Sequence, residues 1–166
     1  MTNTTGSNDM TLTQTHATFV LEREYPVPVE RVWQAFADPE VKAKWFGSDD
    51  FVEVERSDDF RVGGVSIDDG RHGVDGPLSR FRATYSDIVE HQRIVYAYDM
   101  WLDDAHASTS ITTILFEPIE QGTRLTFTEQ GVHLDGVHGP GPDAAAGREE
   151  GTGWLLDQIA KVLIDA

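Results

Sequence analysis

What limits the fold most is a long tract, Phe51 to Thr128, that breaks into short runs of alternating apolar and polar residues and is followed by a single amphipathic stretch. A period of two puts successive side chains on opposite faces of a strand, so each run has one face to bury. The runs are Phe51–Arg56, Phe60–Ile67, a stretch through Phe81, Ala83 and Tyr85, then Arg93–Leu102, Thr109–Phe116 and Thr123–Thr128. Ser57-Asp58-Asp59 and Gln121-Gly122 supply turns, and Gly63-Gly64 reads as a bulge or a close backbone approach. Asp68–Pro77, polar and carrying Gly70, Gly73 and Gly76, reads as a loop. One sheet face must then be covered by the last helix.

Ahead of this tract, His16–Tyr25 alternates and forms a first strand, ended by Pro26 and Pro28. Val29, Val32, Trp33 and Phe36 fall at i, i+3, i+4 and i+7, one face of a short helix. A second short helix is punctuated by Asp38 as cap, Pro39 at its first position and Gly47 at its end, with Val41, Trp45 and Phe46 inward. The closing helix carries Trp154, Leu155, Ile159, Val162 and Leu163. Two starts for it are open. Gly136–Gly147 is a loop and Thr152 caps the helix, or the helix is continuous and Gly147 and Gly151 share a face with Leu155. In the second case each glycine costs about 1 kcal/mol relative to alanine, and what it offers in return is empty space opposite the sheet.

The fold class is therefore α+β: a curved antiparallel sheet of about six or seven strands around a C-terminal helix, with two short helices after the first strand. A single helix cannot fill the concavity of a long curved sheet, and the hollow it leaves suits a ligand. The 166 residues suit one domain, taken as 16–166, behind a disordered polar tail, 1–15, that lacks the greasy centre of a signal peptide. A cytoplasmic location is expected. The net charge of -16 repels nucleic acid and anionic membrane surfaces, and no run reaches the roughly 20 apolar residues of a membrane span. With no cysteine, disulfides, thiolate metal sites and cysteine nucleophiles are excluded.

Taken in order, Val29-Glu30-Arg31-Val32-Trp33-Gln34-Ala35-Phe36, Asp38-Pro39 and Lys44-Trp45-Phe46 resemble the opening of the family named for the activator of the heat-shock-protein-90 ATPase. Phe60-Arg61-Val62-Gly63-Gly64, Gly122–Thr128, Glu129-Gln130-Gly131 and Gly153-Trp154-Leu155-Leu156-Asp157 extend the resemblance over about residues 17 to 165. It implies the START-like superfamily, shared with birch-pollen allergen and polyketide cyclases. It also implies a helix-grip fold with a cavity between sheet and C-terminal helix. That superfamily hosts several functions, so fold alone does not settle this one.

No G-x-S-x-G, P-loop or H-E-x-x-H motif is present. His133 and His138, with Asp135 between them, fit neither one helix face nor one strand face, and no metal or cofactor is expected. Strand parity places Ile94, Tyr96, Tyr98 and Met100 inward and Asp99 outward. Tyr96, Tyr98, Met100 and Phe116 are expected to line the concavity, with Tyr85, Phe127, Gly151 and Leu155 completing the candidate ligand site. Glu129 shares its face with Leu125 and Phe127. It is either an acid, base or ligand anchor in the pocket, or a strand-end carboxylate bonded to an arginine or to loop amides.

Three functions follow, in descending order. The first is a binding protein for a small apolar or amphipathic molecule. The second is a cyclase- or hydrolase-like enzyme using acid–base chemistry in the same cavity. The third is a co-chaperone of a heat-shock ATPase. A homodimer through a sheet edge or the short helices is compatible with all three.

Overall fold

A computed structural model describes residues 12–165. The strands are β1 (Gln14–Tyr25), β2 (Phe51–Asp58), β3 (Val65–His72), β4 (Leu78–Val89), β5 (Arg93–Leu102), β6 (Ala105–Ile119) and β7 (Gly122–Leu134). The helices are α1 (Val29–Ala37), α2 (Pro39–Lys42) and α3 (Gly141–Ile164). All seven strands form one antiparallel sheet in the order β1-β7-β6-β5-β4-β3-β2, with α3 gripped by it. The expected tail lies mostly outside the described residues, and its last two members, Gln14 and Thr15, already belong to β1.

The alternation is realised where it was clearest. In β7, Thr123, Leu125, Phe127 and Glu129 are buried and their neighbours are not. Register with β1 sets Leu21 opposite Phe127. The apolar stripe of α1 buries Val32, Trp33, Ala35 and Phe36. Asp38 caps α2 by accepting the Glu40 N–H at 2.9 Å. The core is densest where α1, β1, β7 and the second half of α3 meet, around Val32, Ile114, Leu125, Leu156 and Ile159. Polar atoms there are satisfied, since the Tyr25 hydroxyl donates to Leu156 O at 2.9 Å and Trp45 Nε1 to Ala35 O at 2.7 Å.

Three boundaries differ from expectation, the first being that α2 stops at Lys42, with turns rather than helix leading to Gly47. Asp68 to His72 is strand rather than loop, and Phe60 to Gly64 is loop rather than strand. The loop docks on β4, with Gly63 N–H donating to Tyr85 O at 2.8 Å and Tyr85 N–H to Gly64 O at 3.0 Å. A Cβ on Gly64 would sit 2.0 Å from Asp59 O, so the close approach needs glycine. The acidic residues of β3 look loop-like in sequence, but Asp69 is bound by Arg82 and Asp68 by Arg56. Of the two starts left open for the last helix the earlier is found: α3 begins at Gly141, with a proline in its first turn, so Gly147 and Gly151 lie within a continuous helix.

Candidate functional site

Because α3 packs on β1, β7 and α1, the concave face across β3–β5 is only partly covered. A recess of about 440 Å³ remains there, between those strands and the first half of α3. Its sheet wall includes Phe81 of β4 and Tyr96, Tyr98 and Met100 of β5. Phe46, following α2, meets Phe81 edge-on at 5.3 Å and closes one side.

The helix wall is thin. Gly147, Gly151 and Leu155 line the recess, and a Cβ on either glycine would meet nothing within 4 Å. Gly153 is different: its Cβ would lie 3.3 Å from Arg23 Nη2, toward β1. The bare helix surface is therefore confined to the side that faces the recess.

Five of the expected site residues line this space: Tyr96, Tyr98, Met100, Gly151 and Leu155. Glu129 lies buried behind them. Tyr85, Phe116 and Phe127 share the inward parity but lie outside the recess. Tyr85 points toward α2, where its hydroxyl donates to Asp58 Oδ1 at 2.8 Å and accepts from the buried Lys42 ammonium at 3.3 Å. Phe116 packs edge-on against Trp33 at 5.1 Å and Phe36 at 5.5 Å. Phe127 stacks on Phe19 at 6.3 Å. The two phenylalanines lie at the filled end of the sheet, where α1 and α3 leave no room.

The sequence reading missed Arg148. It extends from α3 across the inner face of the sheet, donating to Tyr98 Oη at 2.7 Å, Ser108 Oγ at 2.8 Å and Glu129 Oε1 at 3.2 Å. Its guanidinium also lies over the Tyr98 ring, 5.6 Å from the centroid. Of the two alternatives for Glu129, the arginine partner is the one found. Burial opposes the charge on Arg148, but Tyr98 and Glu129 outweigh it and hold the pKa above its ordinary value. Burial also pushes the Tyr98 hydroxyl well above the usual tyrosine range. Arg148 stands seven residues before Leu155 and three before Gly151. A helix read through from Gly141 would have put all three on one face.

Asp68 was also missed, because its segment read as loop. It lies at the β3 side of the recess, with its side chain 7% exposed and Oδ2 3.0 Å from Arg56 Nη2. Its Oδ1 is buried and has no hydrogen-bond partner. Burial raises its pKa to about 6, against the pull of Arg56 and Lys42.

Asp99 faces outward, bonded to His106 and Thr109. His138 borders the recess, and His133 is buried on β7 with burial and then Arg148 lowering its pKa. Among the described residues no group of three or more His, Asp or Glu side chains is arranged to hold a metal. No helix among them is long and apolar enough to cross a membrane.

This architecture recurs in solved structures. A Rhizobium leguminosarum protein is 36% identical, with a TM-score of 0.85, covering 94% of this chain and 99% of its own. The Mll3558 protein of Rhizobium loti is 43% identical, with a TM-score of 0.81 and coverage of 90% and 99%. CV1439 of Chromobacterium violaceum is 30% identical, with a TM-score of 0.72 and coverage of 88% and 96%. No curated protein matches the chain. Residues 26–163 match the family model described as Activator of Hsp90 ATPase homolog 1-like protein. With that match spanning most of the helix-grip domain, the chain belongs to this START-like family.

Proposed function

We propose that this protein binds a small apolar or amphipathic molecule in the recess between β3–β5 and α3, and does so in the cytoplasm. The observation that carries the reading is the pair of helix glycines facing it. A helix interior accepts glycine at a cost of about 1 kcal/mol each, and here neither position has a neighbour that would exclude a side chain. Aromatic walls with a few polar groups suit recognition of a small organic molecule. The activity in the family's name belongs to the protein for which it is named and does not travel with the fold.

A second reading, a cyclase- or hydrolase-like enzyme, draws on one observation: Asp68 borders the recess with a pKa near 6, suited to proton transfer at neutral pH.

The test of binding uses the neutral fluorescent probe N-phenyl-1-naphthylamine and the variant Gly151→Leu. Saturable one-to-one fluorescence enhancement is expected with the wild type. The variant should stay folded, melt at the same or a higher temperature, and lose the enhancement. Undiminished binding by a folded Gly151→Leu, or none by the wild type, refutes the reading. Native mass spectrometry of protein purified from its host would show a retained molecule directly.

A further inference from the structure

Two charged side chains at the recess, Arg148 and Asp68, are largely buried, and they differ in how far the protein has already used them. Arg148 brings a positive charge, which by itself would suit a carboxylate or phosphate. Its hydrogen bonds, however, go to Tyr98, Ser108 and Glu129, and its charge is balanced by Glu129. An anionic ligand would find that charge already neutralised by Glu129 and would share the recess with the Asp68 carboxylate, a like charge, although two of the five guanidinium N–H donors have no protein partner. Asp68 is the opposite case. Arg56 lies on Oδ2, while Oδ1 is buried without a partner. A buried acceptor left unpaired costs about 1–3 kcal/mol, and a ligand that donates to it recovers that cost.

We infer that Asp68 is the polar anchor of the recess and that the ligand is an apolar, aromatic-sized molecule carrying a hydrogen-bond donor, a hydroxyl or an amine, rather than an acid. The inference rests on the reading of the recess as a ligand site and adds the chemical class. The donor end lies against β3, and the apolar body lies between Phe81 and Met100 on one side and the glycine face of α3 on the other. Arg148 supports the wall through Tyr98 and does not contact the ligand's polar group.

The experiment is a calorimetric comparison of four probes with one ring system: 2-naphthol, 2-(aminomethyl)naphthalene, 2-naphthoate and 2-methylnaphthalene. The full chain should bind the alcohol or the amine at least about tenfold more tightly than 2-methylnaphthalene, with 2-naphthoate weakest, and the tighter of the two donors names the donor class. Asp68→Leu should bring both the alcohol and the amine within about threefold of 2-methylnaphthalene, whose own binding is unaffected. Should that variant fail to fold with Arg56 unpaired, Asp68→Asn keeps the shape and an acceptor oxygen. It should abolish an amine preference and retain most of an alcohol preference. A wild type that binds all four probes alike, or 2-naphthoate most tightly, overturns the donor inference and leaves the ligand site standing. Binding of none of the four overturns both.

Discussion

The two halves of α3 face the same sheet and do opposite things. From Leu156 onward the helix is a packing element, with Leu156 1%, Ile159 0% and Leu163 5% exposed against β1, β7 and α1. Before that point it presents Gly147, Arg148 and Gly151 to an open space bordered by β3–β5. The first region is held by apolar burial and the second by a buried ion pair and its hydrogen bonds. The contrast teaches that a helix-grip fold can keep its stability at one end of the sheet and its vacant volume at the other. Substitutions at the two ends should then separate stability from binding.

The largest effect is expected from Arg148→Met. It strands Glu129 in the interior and should cost about 4 kcal/mol in urea unfolding, whereas the double variant with Glu129→Leu should cost much less. If single and double variants are equally destabilised, the pair is not the structural unit described. Next, Ile159→Ala removes a fully buried side chain at the packed end. It should cost about 3 kcal/mol and leave affinity for N-phenyl-1-naphthylamine unchanged. A parallel loss of affinity in the folded protein would show that the two ends are not separable.

Asp68 offers a test by pH. Its folded pKa is raised from 3.8 to about 6 by burial, so between those values the folded state holds a proton that the unfolded chain has released. The group therefore costs stability above pH 6, and the cost is relieved as pH falls toward 4. At about 1.4 kcal/mol per unit the span is about 3 kcal/mol. Relative to wild type, Asp68→Asn should gain stability as pH rises from 4 to 6 and change little above. A difference that is flat across that window would remove the basis for a strained carboxylate. The smallest effect concerns the glycines. Gly147→Ala should raise stability by up to about 1 kcal/mol, because the new methyl meets nothing. Gly153→Ala should gain less, because its methyl presses on Arg23 at 3.3 Å. Equal gains at both sites, measured as melting temperature, would contradict the asymmetry of α3.

Much of this was legible in the chain itself. The alternation in β5 and β7 determined which side chains point inward, including Tyr96, Tyr98, Met100 and Glu129, because the period of two is a local property of extended backbone. The spacing of Val29, Val32, Trp33 and Phe36 likewise determined α1. The acidic stretch of β3 was not legible, since its aspartates become tolerable in a strand only once Arg56 and Arg82, outside β3, neutralise them. The start of α3 was not legible either, because glycine-rich sequence favours a loop until the sheet supplies a surface to pack on.

Parity said which face Phe116, Phe127 and Met100 occupy but not which end of that face is filled. That depends on where α3 crosses the sheet, and so on its long-range contacts with β1, β7 and α1. The pairing of Arg148 with Glu129 belongs to the same class: two residues on different elements, joined only when helix and sheet have docked. The sequence by itself determined the strands, the short helices and the inward faces, because these follow from periodicity along the chain. Only the tertiary structure decided the recess and the partners of its charges, because volume and ion pairing arise between elements that meet only when the chain is folded.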